Sequence, residues 1–284
     1  GDREEVIVAS IIGGYLEIPT VHFFGGDHVE DSHIDNPIRH ATSKLSTIHM
    51  VSLEDHHTRL LKMGEKKERI FNIGSVALDK FVHQTLYSKK KIKKFFNFND
   101  AFDKFALLIF HPIPNERKNT EKIFENILCT LKKKNINTFV SYPNIDFGNS
   151  KIIQIIKKYS NDKNFYFYKS LERKIFISIY KNADFIIGNS SSGILESATI
   201  RIPAINVGIR QVGRKANKNV IFVGASRENI ERAIHTVYSK KFQNICKNIK
   251  NIYGDGFSSI RAFNIIKNNN FKNLLYKNED ILKL

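Results

Sequence analysis

The sequence is poor in cysteine and in acidic side chains, and it has no long apolar run. Two cysteines, Cys129 and Cys246, in 284 residues cannot build a disulfide framework or a four-ligand zinc site. They read as packing residues of a cytoplasmic protein in a reducing compartment. No stretch approaches the roughly 18–20 apolar residues that cross a bilayer, and no apolar core sits behind a basic start as in a signal peptide. There is no G-x-x-x-x-G-K-[ST], no G-x-G-x-x-G and no H-E-x-x-H. Neither a metal nor an organic cofactor is therefore expected. His22, His28, His33 and His40 crowd the first third, but without metal-ligand spacing.

Acidic residues number 28 against 45 Lys+Arg, so the formal net charge is +17. Such an excess raises a nucleic-acid reading. It is mostly lysine, however, in short runs such as Lys89-Lys90-Lys91 and Lys132-Lys133-Lys134, typical of solvated helix faces. Neither a nucleic acid nor a membrane is expected as a partner.

What is present is alternation. Short apolar strands at 20–24, 48–51, 70–73, 106–110, 138–141, 165–168, 184–187, 204–207 and 220–223 are separated mainly by helical patterns. The expected helices cover about 35–45, 54–63, 119–134, 150–159, 171–181, 193–199 and 228–238. Asp35-Asn36-Pro37 reads as an Asx N-cap with proline in the first turn. This pattern predicts βαβ units and parallel sheets, with ligands beyond the carboxyl ends of the strands. Length predicts two domains. We expect a partial N-terminal domain at 1–95, a nucleotide-binding domain at 96–262, and a helical tail at 263–284 packing back on the first. The Lys/Phe-rich stretch 89–103 lacks a period and reads as the linker. The chain opens on Gly1-Asp2-Arg3 without Met, as if entered in the middle of a domain.

The residues just after the strands carry the chemistry. Gly188-Asn189-Ser190-Ser191-Ser192-Gly193 joins a strand to a helix, where backbone N–H groups, hydroxyls and the helix dipole favour an anion. An ordinary serine N-cap is the competing reading. Glu196 suits ribose hydroxyls. Arg210 and Arg214 suit bidentate phosphate recognition. His111 and Asn144 follow two further strands. Asp2, Asp27, Glu30, Asp31 and Asp35 offer carboxylates for acid/base work.

In this order the motifs resemble the hydrolysing UDP-N-acetylglucosamine 2-epimerases of sialic- and legionaminic-acid-type sugar synthesis. They run Gly1-Asp2-Arg3; Gly25-Gly26-Asp27; Ile34 to Leu45; His111-Pro112; Pro143-Asn144-Ile145-Asp146; Gly188 to Gly193 with Glu196; Gly208 to Arg214; and Ile252-Tyr253-Gly254-Asp255-Gly256. The resemblance implies an α/β fold of two Rossmann-like domains of glycosyltransferase-B type, the N-terminal one incomplete here, and a homo-oligomer. It implies a nucleotide-sugar substrate in the cleft between domains. Ser190, Ser191 and Arg210 would hold the diphosphate, with Arg3 and Arg214 beside it. Glu196 would hold the ribose, Asn144 would line the cleft, and His111 would face the reacting sugar. Asp2 and Asp35 match catalytic acidic residues. Asp27 stands where the family often has Glu, so Asp27 or Glu30 completes the acid/base set. Elimination of UDP to a glycal and rehydration would give the free 2-epimeric sugar. A glycosyltransferase of the same architecture and a basic nucleic-acid-binding or inactive scaffold fragment are the alternatives.

Overall fold

The computed structural model describes residues 4–30, 34–96, 104–144, 147–278 and 280. Two compact units form: Gly1–His83 with Ile252–Leu284, and Gln84–Asn251. These limits differ from boundaries at 95 and 262, and local bonds show why. Lys89–Phe95 is a helix, α5, capped by Ser88, with Ile92 buried. Just before it, Tyr87 N–H donates to Ser178 and Tyr87 O accepts from Asn182. The first part of the expected linker is thus tied to the second unit, and residues 97–103 lie outside the described residues. At the other limit, Ser75 N–H donates to Tyr253 O at 2.7 Å. Asp79 accepts from Ser258 and Ser259 N–H, opening helix α12 (Ser258–Asn268). Residues 252–262 therefore belong to the first unit.

The first unit holds α1 (Glu4–Tyr15), β1 (Val21–Phe23), α2 (Asp35–Leu45), β2 (Ile48–Val51), α3 (Glu54–Lys62), β3 (Ile70–Asn72), α4 (Asp79–His83) and α12. Its three strands are parallel, in the order β1-β2-β3. Ile48, Met50, Ile73, Ala262 and Phe271 form one core cluster, so the C-terminal segment completes this unit's apolar interior. Helix α2 begins as expected, but its N-cap is Ile34 and no side chain caps it. Asn36 instead binds the backbone of Val29 through both ends of its carboxamide.

The second unit is a six-stranded parallel sheet built from β4 (Phe105–Ile109), β5 (Asn137–Ser141), β6 (Phe165–Tyr168), β7 (Phe185–Gly188), β8 (Ala204–Val207) and β9 (Val220–Val223). Its order β6-β5-β4-β7-β8-β9 is the Rossmann order 3-2-1-4-5-6, with the switch point between β4 and β7. Helices α6 (Thr120–Lys133), α7 (Asn149–Tyr159) and α10 (Arg227–Tyr238) bury apolar residues at helical spacing, such as Ile123, Phe124, Ile127, Leu128 and Leu131, into the main core. The unit also contains α5, α8 (Arg173–Asn182), α9 (Ser191–Leu195) and α11 (Lys240–Lys247). Among the described residues no helix is long and apolar enough to cross a membrane.

One buried ionic cluster pins the C-terminal segment to the first unit. Glu65 is 3% exposed and meets His49 Nε2 at 3.0 Å, Lys277 Nζ at 2.6 Å and Lys44 Nζ at 3.0 Å. Arg69 adds bonds to the carbonyls of Thr47, Leu274 and Tyr276. Burial pushes the Glu65 carboxyl up, but the hydrogen bonds and charges of His49 and Lys277 outweigh it and hold the group at about 2. At Lys277 burial outweighs the bond to Glu65 and its charge, and the ammonium loses its proton more easily than usual. A depressed carboxyl stabilises the fold above its unfolded value and ceases to as pH falls through its folded value. Glu65→Gln is therefore expected to lower unfolding free energy at neutral pH by roughly 3 kcal/mol. It should also flatten the loss of stability between 4.5 and about 2. Urea titrations followed by circular dichroism across that range check both; an unchanged acid limb contradicts the assignment.

Candidate functional site

In the second unit a continuous polar network runs over the carboxyl ends of four strands. It starts at Gly188, whose φ of +132° and close approach to β4 admit no side chain: a Cβ there would lie 2.0 Å from Ile109 O. The next residue, Asn189, is fully buried. Its carboxamide accepts from His111 N–H and donates to His111 O, both at 2.8 Å. Its own N–H donates to Ile109 O at 3.1 Å. The ends of β4 and β7 are thus stapled at the switch point, where Rossmann sheets bind ligands. Asn189 O in turn accepts from Arg210 at 3.0 Å and Gln211 at 3.1 Å. Gln211 accepts from Arg214 at 2.7 Å. On the other side, Asn144 N–H donates to His111 Nδ1 at 3.3 Å, which leaves the neutral ring's proton on Nε2.

The serine turn carries both readings at once. Ser190 is the N-cap of α9 and accepts from Ser192 N–H at 3.3 Å. Ser191 sits half-buried at the first helical position. Ser192 bonds Glu196. Burial raises the Glu196 carboxyl above the usual range, with the Ser192 bond and the Arg173 charge acting against it. Helix α9 starts two residues before the expected Gly193, because the cap is Ser190. Glu116, after β4, accepts Ile209 N–H at 3.2 Å, while burial raises its carboxyl. Asn189, Gln211 and Glu116 were not singled out from sequence, although Asn189 stands inside the Gly188–Gly193 motif.

In the first unit the Gly25-Gly26-Asp27 loop is clamped against two helices. Gly26 has φ +75°, and a Cβ there would lie 2.3 Å from His56 O on α3. Arg59 donates to Gly26 O and Arg39 to Asp27 O. Asp27 is 7% exposed. Its Oδ1 accepts from His28 N–H at 2.9 Å and lies 3.5 Å from His56 Nε2. His28 and His40 stack with ring centroids 5.8 Å apart. Burial, then the charges of His28, Arg39 and Arg59, lower the His40 value. Asp35 occupies the first turn of α2, half-buried, and Glu30 is exposed. Of the other expected residues, Asp2, Arg3, Asp31 and His33 lie outside the described residues. The structure thus gathers His111, Asn144, Ser190, Arg210 and Arg214 in one unit, and Asp27 with Arg39, Arg59 and three histidines in the other.

A six-stranded parallel sheet of Rossmann order, with polar side chains gathered at its switch point, defines a doubly wound α/β protein, a class whose ligands bind at that point. Comparison with known proteins narrows the class. The UDP-N-acetylglucosamine 2-epimerase family profile matches residues 1–267, and the chain belongs to that family. It is 35% identical over 94% of its length to the UDP-N,N'-diacetylbacillosamine 2-epimerase (hydrolyzing) of Legionella pneumophila, covering 69% of that protein. It is 34% identical over 84% of its length to a UDP-N-acetylglucosamine 2-epimerase of Neisseria meningitidis, spanning 62% of that relative. Among solved structures, the Neisseria meningitidis UDP-GlcNAc 2-epimerase bound to UDP-GlcNAc superposes with TM-score 0.79 at 19% identity. That superposition covers 95% of this chain and 75% of the other. These structures share the two-domain fold that the sequence motifs imply.

The Asn189 staple predicts a specific cost. Asn189→Ala leaves the His111 N–H and carbonyl without their partners and should destabilise the second unit by about 2–3 kcal/mol. Urea unfolding followed by circular dichroism measures it, and wild-type stability would show that the staple is dispensable.

Proposed function

We propose that the protein is a hydrolysing 2-epimerase of UDP-linked 2-acetamido sugars, releasing UDP and the free 2-epimer. The observation that carries this reading is the network from Asn144 through His111 and Asn189 to Arg210 and Arg214. It supplies a fixed imidazole, serine hydroxyls and two guanidinium groups at the sheet's switch point, the donor set a departing diphosphate requires. The hydrolysing 2-epimerase activity of the Legionella pneumophila relative toward UDP-N,N'-diacetylbacillosamine supports the hydrolysing chemistry and an N-acetylated sugar.

The reaction has two stages. A carboxylate takes the proton from C2, the C2–H electron pair becomes the C1–C2 double bond, and UDP leaves C1 with the C1–O pair. Water then adds to the 2-acetamidoglucal, placing hydroxyl at C1 and a proton on the opposite face of C2. Asp27 and Asp35, with Asp2, are assigned the proton transfers. Glu30, exposed at the end of the same loop, is the alternative to Asp27. His111, its proton on Nε2, serves the leaving oxygen. Ser190, Ser191, Arg210, Arg214 and Arg3 take the diphosphate charge, Glu196 the ribose, and Asn144 the nucleotide-sugar wall. We assign this chemistry to the cytoplasm, in keeping with free Cys129 and Cys246.

The test is UDP release from UDP-N-acetylglucosamine and from UDP-N,N'-diacetylbacillosamine, with no acceptor added. Free 2-epimeric sugar should accompany UDP from at least one of them. Asp35→Asn should lower kcat by about 100-fold or more. Arg210→Ala should lower kcat/KM by about 100-fold. Turnover that requires an added acceptor would instead identify a glycosyltransferase.

A further inference from the structure

His56 belongs to no motif in the sequence, yet the structure builds a socket around it. It lies in the first turn of α3 and is 5% exposed. Three features hold its ring against Asp27. The absent side chain at Gly26 lets the Gly25-Gly26-Asp27 loop press on the His56 carbonyl. Arg59, one turn further along α3, grips Gly26 O and sets the distance between loop and helix. Behind the ring stands Tyr253, 1% exposed, with ring centroids 6.5 Å apart. Tyr253 is in turn fixed by its carbonyl, which accepts Ser75 N–H at 2.7 Å. Asp255, two residues on, is paired with Arg261. The Ile252–Gly256 motif, to which the proposed function gives no other task, thus closes the socket.

We propose that His56 is a positioning residue that acts through Asp27. This rests on the reading of Asp27 as a proton-transfer group in the proposed reaction. Its Nε2 lies 3.5 Å from Oδ1, the same oxygen that accepts His28 N–H at 2.9 Å. The His28 N–H bond and the adjoining His56 ring thus meet the same oxygen, and together they bias the plane of the carboxylate. A short Asp side chain, with one methylene between backbone and carboxyl, has only two torsions to set. Arg39 holds its carbonyl and Arg59 that of Gly26, and the His56 ring borders the carboxyl end. Catalytic bonds of this kind tighten from apo distances when the site is occupied.

Four variants test this: Asp27→Asn, His56→Phe, His56→Gln and the double variant Asp27→Asn/His56→Phe. UDP release is measured from whichever UDP-sugar the wild type turns over, and circular dichroism and thermal melting show that each variant is folded. His56→Phe should lower kcat at least about tenfold while KM stays within about twofold, since orientation rather than binding is lost. His56→Gln, whose side-chain amide can donate from near the Nε2 position, should recover most of that loss in a way no packing role explains. The double variant should be no slower than Asp27→Asn alone, the signature of two residues acting as one unit. An undiminished kcat in His56→Phe beside an inactive Asp27→Asn overturns this inference and leaves the proposed function standing. So do additive losses in the double variant. A fully active Asp27→Asn removes Asp27 from the proton transfers and overturns this inference, while UDP release by the wild type tests the proposed function separately.

Discussion

The carboxamide of one buried asparagine holds the second unit's site together. Strands β4 and β7 lie side by side, yet their chain segments are 78 residues apart where Asn189 meets His111. At the switch point of a Rossmann sheet the connections leave toward opposite faces, so no backbone loop closes the crevice between the two strand ends. Asn189 closes it with a donor and an acceptor that match the His111 peptide. Its own carbonyl then carries Arg210 and Gln211, and Gln211 carries Arg214. Gly188 is the condition for all of this, since any side chain there would collide with Ile109 O. Polar atoms so deeply buried are costly unless paired, and here each bond also orients a group with chemical use.

The two units divide the chemistry by charge. The second gathers guanidinium groups, hydroxyls and a fixed imidazole, suited to a leaving diphosphate. The first gathers Asp27 with histidines and two arginines, and the proposed function assigns it the proton transfers at carbon. The arginines of the first unit act on backbone: Arg59 grips Gly26 O and Arg39 grips Asp27 O. Of the net +17, only a few charges therefore have a site to serve. Many lysines lie in surface ion pairs such as Lys133 and Lys134 with Glu231 or Lys158 with Glu125, interactions of small worth.

Much of the architecture was legible in the sequence because parallel strands bury both faces and read as apolar runs. β4, β5 and β7 stood out for that reason, and the residues after them led to His111, Asn144 and the serine turn. What stayed hidden has specific causes. Lys89–Phe95 buries little beyond Ile92, so its helix has almost no apolar stripe to detect. Helix α11 buries only Cys246, and α12 leaves Ile260, Phe263 and Ile266 exposed, so neither shows a clear apolar face in the sequence. Asp35 looked like a cap, but Asn36 is spent on Val29, Asp35 is the first helical residue and Ile34 holds the cap position. Asn189, Gln211 and Glu116 work through bonds to residues distant in sequence, which no local pattern reveals. His56 matters through the carboxylate of Asp27, and only the fold brings the two together.

In the proposed reaction the proton at C2 is removed and replaced while UDP departs for good. The most direct measurement is the reaction run in deuterium oxide with a UDP-linked 2-acetamido sugar, followed by proton and phosphorus NMR. UDP and a free 2-epimeric sugar carrying one solvent deuteron at C2 are the expected products. A free sugar that keeps its original C2 proton, or an epimer still bonded to UDP as the final product, would contradict it.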